Sequence, residues 1–75
     1  MFSTGRTTQI FAARGLTEAL ETWRAAESRV AARWQSFLEA EPETRRWAFA
    51  SYVAALDAEE AAASDLDALS SRLAA

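Results

Sequence analysis

Residues 16–37 read LTEALETWRAAESRVAARWQSF, and this stretch decides the fold. Its large apolar side chains follow a 4-3-7-4-3 spacing, at Leu16, Leu20, Trp23, Val30, Trp34 and Phe37. This spacing is a heptad repeat, which predicts an amphipathic α-helix with Glu27 at the one position that breaks the apolar stripe. Most neighbouring residues are strong helix formers, so we expect a first helix over about residues 8–40.

Pro42 separates this helix from a second periodic run. A proline cannot continue a helix, but it suits the first turn of a new one. The apolar residues of the second run are Trp47, Phe49, Tyr52, Val53, Leu56, Leu66, Leu69 and Leu73. The ten residues from Leu56 to Leu66 predict a shift of the apolar stripe midway along this helix. We expect a second helix over about residues 42–74, antiparallel to the first because the connection is short.

The fold class predicted for residues 1–75 is therefore a single all-α domain, an antiparallel two-helix hairpin. When the chain is folded back at Glu41, Trp23 faces residues 59–63, where small alanine side chains leave room for its ring. The predicted core is Leu20, Trp23, Val30, Trp34, Leu56, Leu66 and Leu69. Leu69 and Leu73 need cover from Ile10 and Phe11, and residues 1–7 are expected to form a flexible or docked N-terminal segment.

Length and composition restrict the possible functions. The chain has 75 residues, which is enough for one small domain, and 51% of them are hydrophobic, with alanine the largest contributor. Cysteine and histidine are both absent, so disulfides, thiolate chemistry, zinc fingers and histidine general bases are excluded. We expect no cofactor and no metal. A chain this small is stabilised by near-ideal helix packing or by association with another chain.

The charge of the chain argues against nucleic acid as a partner. The formal net charge is -3, whereas affinity for nucleic acid depends on basic side chains that neutralise phosphates. No stretch reaches the roughly 18 apolar residues that a membrane span needs, so we expect a soluble, cytoplasmic protein that does not bind a membrane. All eight basic residues are arginine, a bias typical of GC-rich genomes such as those of bacteria and phages.

Three carboxylates are candidates for a metal site. Glu27 lies on the predicted stripe of the first helix, and Glu59 and Glu60 lie opposite it in the folded-back chain. Two such hairpins could bring enough carboxylates together for two metal ions. Helical-bundle sites of that kind also use histidine, which this chain lacks. The favoured interpretation is that Glu27 pairs with Arg24 or with an arginine of a neighbouring chain and sets the register of the contact.

A basic and aromatic segment follows the proline. This segment, Arg45, Arg46 and Trp47, could bind a phosphate or an acidic partner. Nearby glutamates instead favour ordinary charge pairing at the start of a helix. The only glycines are Gly5 and Gly15, so there is no glycine-rich phosphate loop. No pattern of residues predicts catalysis, and we do not expect an enzyme.

The aromatic content predicts an interaction surface. Two helices have one face each toward the other, so we expect Leu38, Trp47, Phe49 and Tyr52 to remain partly uncovered and to form an interface. The simplest arrangement is a homodimer in which two hairpins form a four-helix bundle. The predicted function is a non-catalytic helical interaction module, a self-associating scaffold or adaptor. The alternative is a small accessory subunit or inhibitor that binds a larger protein through its exposed apolar face.

Overall fold

The computed structural model describes the backbone of residues 3–74 and the side chains of residues 13–74. Over this range the chain forms two α-helices and no strand: α1 spans Ser3–Glu39 and α2 spans Arg45–Ala74. The helices pack against each other as an antiparallel hairpin, which confirms the predicted fold class. The molecule is a thin rod with principal extents of 63 × 15 × 13 Å.

A tight turn at Pro42 joins the helices. The Thr44 N–H donates to the Glu41 carbonyl at 3.0 Å, so Pro42 occupies the second position of a four-residue turn, which its fixed φ favours. The Thr44 carbonyl then accepts from the Ala48 N–H at 3.0 Å and opens α2. The predicted start of the second helix at residue 42 was therefore three residues early, because residues 41–44 form a turn of their own.

The first helix begins earlier than its sequence pattern indicates. Helical backbone is present from Ser3 rather than from about residue 8, and it continues through Gly15. Part of the predicted N-terminal segment 1–7 thus belongs to α1, while residues 1 and 2 lie outside the described residues. The predicted cover of Leu69 and Leu73 by Ile10 and Phe11 also lies outside them, because the description of side chains starts at residue 13.

Alanine fills the most enclosed positions between the helices. Ala26 is 7% exposed, Ala55 4% and Ala62 7%, and among the described side chains these three form the buried core. Along α2 an unbroken 4-3-4-3-4-3 series of buried and half-buried positions comprises Ala48, Tyr52, Ala55, Glu59, Ala62, Leu66 and Leu69, and Ala63 beside it is also half-buried. The predicted shift of the stripe midway along the second helix is therefore wrong.

The apolar stripe predicted on α1 is corrected for the same reason, because an alanine again occupies the buried position. Ala26 faces α2, and the neighbouring Glu27 is exposed. From residue 13 to residue 40 the positions that are at least half-buried are Gly15, Leu16, Ala19, Leu20, Trp23, Ala26, Val30, Phe37 and, just after α1, Ala40. A methyl side chain lets two helix backbones approach closely, so alanines lie at the centre of the contact and larger side chains lie at its edges.

Five of the seven predicted core residues lie at this contact. Leu20, Trp23, Val30, Leu66 and Leu69 are all half-buried. The other two, Trp34 and Leu56, are 41% and 36% exposed. Both lie beside the alanine stripe rather than on it, so the prediction that they belong to the core of the hairpin is corrected.

One hydrogen bond between side chains joins the two helices far from the turn. The Trp23 indole Nε1–H donates to Glu59 Oε1 at 2.9 Å, across 36 residues of chain, in a partly buried setting. The bond confirms the prediction that Trp23 faces residues 59–63 of α2. It also gives Glu59, the one charged residue on the α2 stripe, a partner within the contact.

Gly15 provides a test of the continuity of α1. A methyl group at Gly15 would meet no atom within 4 Å, and no glycine among the described residues has a positive φ. We expect Gly15→Ala to raise the free energy of unfolding by about 1 kcal/mol, because glycine is a poor helix former. That gain corresponds to roughly 4 to 8 °C in thermal melting followed by circular dichroism. Ser28→Ala, on an exposed part of the same helix, is the control and should change stability much less. A Gly15→Ala variant no more stable than the parent would contradict a helix running through this position.

Glu59 provides a test of the inter-helix hydrogen bond. Glu59→Ala leaves the Trp23 N–H without an acceptor in a partly buried site, which we expect to cost about 1 to 3 kcal/mol of unfolding free energy. Glu59→Gln keeps a carbonyl oxygen in place and should cost less. Glu21→Ala, at an exposed glutamate of α1 outside the apolar face, is the matched control and should be close to neutral. Equal loss of stability in Glu59→Ala and Glu21→Ala, measured by urea unfolding, would show that the bond contributes nothing.

Candidate interaction surface

Among residues 13–74, one side of the hairpin carries most of the exposed large apolar side chains. On α1 these are Trp34 and Leu38, four residues apart, and on α2 they are Phe49, Val53 and Leu56, spaced 4-3. Each is between 36% and 58% exposed. Residues with this spacing share one side of a helix, so each set forms a strip along its own helix. We call the surface formed by these five residues the apolar face.

Contacts between aromatic rings join the two strips. Trp34 packs on Tyr52 with 5.0 Å between ring centroids, and Phe37 packs on Phe49 at 5.5 Å. Along the helices, Trp34 also contacts Phe37 at 5.5 Å, and Phe49 contacts Tyr52 at 6.3 Å. All four pairs are tilted and within the range in which aromatic rings attract each other. Phe37 and Tyr52 are the half-buried members of this cluster, and their contacts hold the exposed rings of Trp34 and Phe49 in place.

The predicted interface residues divide into two groups. Leu38 and Phe49 lie on the apolar face, and Tyr52 lies under it in the ring cluster. Trp47 is 74% exposed, but it is two residues before Phe49 and so projects about 200° away from it around α2. The structure therefore does not bring Trp47 into one surface with the other three.

The side of the hairpin opposite the apolar face has a different character. A shallow groove between the helices there is lined by Arg29 and Arg33 on α1 and by Ser51, Ala54 and Ala58 on α2, with Ala55 at its floor. Small side chains dominate this groove. None of the residues that line this groove has a large apolar side chain.

Charged residues lie beyond both ends of the apolar strip on α2. Arg46 is three residues before Phe49, and Glu60 is four residues after Leu56, so both lie on the same side of the helix as the strip. Arg45 is also at the turn end, and all three side chains are exposed. The α2 strip therefore has an arginine beyond its turn end and a glutamate beyond its other end, while Glu39, Glu41 and Glu43 are also exposed around the turn.

The other two clusters considered from the sequence are not assembled. Glu27 and Glu60 are exposed and Glu59 is bound to Trp23. Within the described part of the chain, no three acidic side chains come close enough to hold a metal ion. Arg45, Arg46 and Trp47 are consecutive, and consecutive residues project about 100° apart around a helix, so they point in three different directions.

Sequence reasoning missed three residues of the apolar face. Val53 was assigned to neither the core nor the interface, and Trp34 and Leu56 were assigned to the core. The sequence does contain a pattern that indicates the α2 part of the apolar face. Beside the stripe that contacts α1 there is a second heptad series, spaced 3-4-3-4, formed by Arg46, Phe49, Val53, Leu56 and Glu60.

Neither helix, over the residues that the structure describes, is long and apolar enough to cross a membrane. Comparison of the chain with models of protein families, with curated proteins and with solved structures finds no match.

Proposed function

We propose that this protein is a non-catalytic helical interaction module that self-associates through its apolar face. The observation that carries the proposal is the exposure of five large apolar side chains on one side of a thin rod. A contiguous apolar surface of this kind usually marks a binding site. Its rings are already fixed by contacts within the hairpin, so association orders few new side chains.

A second copy of the chain is the partner that best fits this surface. Two hairpins that bring their apolar faces together form a four-helix bundle, in which each helix buries a second stripe. The contact is then isologous, because the same surface serves both copies. The charges at the ends of the α2 strip also favour a second copy, since its basic and acidic ends can pair with each other across the contact.

In the resulting assembly the protein acts as a scaffold or adaptor. The groove lined by Arg29 and Arg33 lies on the opposite side of the hairpin and remains free when the apolar faces meet. Trp47 also remains accessible, since it projects away from Phe49. A dimer would therefore present two identical outer surfaces at a fixed separation.

Phe49 and Trp47 form a matched pair for testing this proposal. We expect the parent to have about twice the chain mass of 8.2 kDa in light scattering or sedimentation. Phe49→Asp places a charge in a desolvated contact and should weaken association about 30-fold or more. Trp47→Asp introduces the same charge at an even more exposed aromatic residue outside the apolar face, so we expect the dimer to persist.

Circular dichroism of both variants checks that each remains helical. A well-folded parent that stays monomeric at high concentration would contradict self-association and favour the alternative, an accessory subunit or inhibitor of a larger protein. If Trp47→Asp disrupted the dimer more than Phe49→Asp, the interface would lie on the other side of α2.

A further inference from the structure

The α2 strip is centred on Val53, with charges of opposite sign at equal distances on either side. The heptad series is Arg46, Phe49, Val53, Leu56 and Glu60. Val53 is at its centre, with one large apolar residue on each side and opposite charges seven residues away in either direction. The strip from Arg46 to Glu60 is about 21 Å long at the helical rise per residue. Reversing the strip exchanges its basic end with its acidic end.

This symmetry determines how a second copy fits. We infer that, given the self-association proposed above, two hairpins dock with their turns at opposite ends and with the two-fold axis passing Val53. Each α2 then lies antiparallel to α2 of the second copy. Phe49 packs against Leu56 of the second copy, and Arg46 pairs with Glu60 of the second copy. Both contacts occur twice, as a two-fold axis requires.

The position of the two α1 helices in the dimer follows from the register of α1 against α2 within each hairpin. Trp34 contacts Tyr52 and Trp23 is bonded to Glu59, and interpolation between these two contacts places Ala31 near the level of Val53. The same axis therefore brings Ala31 close to Ala31 of the second copy. The small alanine side chains leave space beside them for Trp34, which is one turn away on the apolar face.

The other face-to-face arrangement places both turns at the same end. Each α2 then lies along α1 of the second copy, and Val53 faces Ala31 instead of another Val53. In this arrangement Arg46 lies along α1 of the second copy and cannot reach Glu60 of that copy. The pairing of Arg46 with Glu60 thus favours turns at opposite ends.

Disulfide trapping distinguishes the two arrangements. The chain has no cysteine, so Val53→Cys introduces a single thiol. In dilute solution under mild oxidation, we expect Val53→Cys to form a covalent dimer at least about tenfold faster than Ala58→Cys, because only a thiol at the axis is held near its copy. Ala58→Cys is the control for random collision, since Ala58 is exposed and lines the opposite groove.

A mixture of Val53→Cys and Ala31→Cys tests the alternative directly. A mixed disulfide as the main product would overturn the proposed arrangement and establish turns at the same end. A Val53→Cys dimer that forms no faster than the Ala58→Cys dimer, while the parent remains dimeric, would overturn it as well. If the proposed self-association were wrong, the parent protein, which carries no introduced thiol, would be monomeric. This result is distinguishable from a dimer with the other arrangement.

Charge reversal gives a second, independent test that needs no cysteine. Arg46→Glu and Glu60→Arg should each weaken the dimer about tenfold, because each sets two like-charged pairs across the contact. The double variant Arg46→Glu, Glu60→Arg restores opposite charges and should regain most of the affinity. Arg29→Glu, on the other side of the hairpin, should leave the dimer unchanged. If the double variant were weaker than both single variants, the pairing of Arg46 with Glu60 of the second copy would be overturned.

Discussion

The most enclosed positions between α1 and α2 are held by alanine, and the rest of the structure depends on this close contact. Ala26, Ala55 and Ala62 occupy the centre of the contact, where a larger side chain would force the helices apart. Two helices that approach so closely have little volume between them for aromatic rings. The large side chains therefore lie at the edges of the contact, and near the turn they form the apolar face. The core and the exposed surface are two results of one packing constraint.

The bond from Trp23 to Glu59 supplements an alanine contact that by itself specifies register weakly. Alanine side chains are small and alike, so a stripe of them would tolerate sliding of one helix along the other. A partly buried hydrogen bond that forms in one register only removes that freedom. Near the turn the short connection and the ring cluster hold the register. Farther along the rod this role belongs to Trp23 and Glu59.

The hairpin, its turn and the approximate register could be predicted from sequence, because heptad spacing, Pro42 and a short connection each have one simple structural meaning. The division of α2 into two stripes could not. Its alanine series and its apolar series, which contains Phe49, Val53 and Leu56, lie side by side, and both have heptad spacing. Weighting residues by size merges the two series into one stripe with a shift, and it selects Glu27 instead of Ala26. Periodicity locates a stripe, but which stripe meets the neighbouring helix depends on how closely the backbones approach.

The position of the ring cluster beside the turn has a consequence for the order of folding. Phe37 and Phe49 are twelve residues apart in the chain, whereas Trp23 and Glu59 are separated by 36. The entropy lost on closing a loop grows with the logarithm of its length, so contacts near the turn form at least cost and the hairpin closes from the turn toward its open end. The rings that form first also hold the exposed side chains of the apolar face. A chain whose distal halves are still unpaired thus already presents most of the apolar face, the surface through which we propose that a second chain binds.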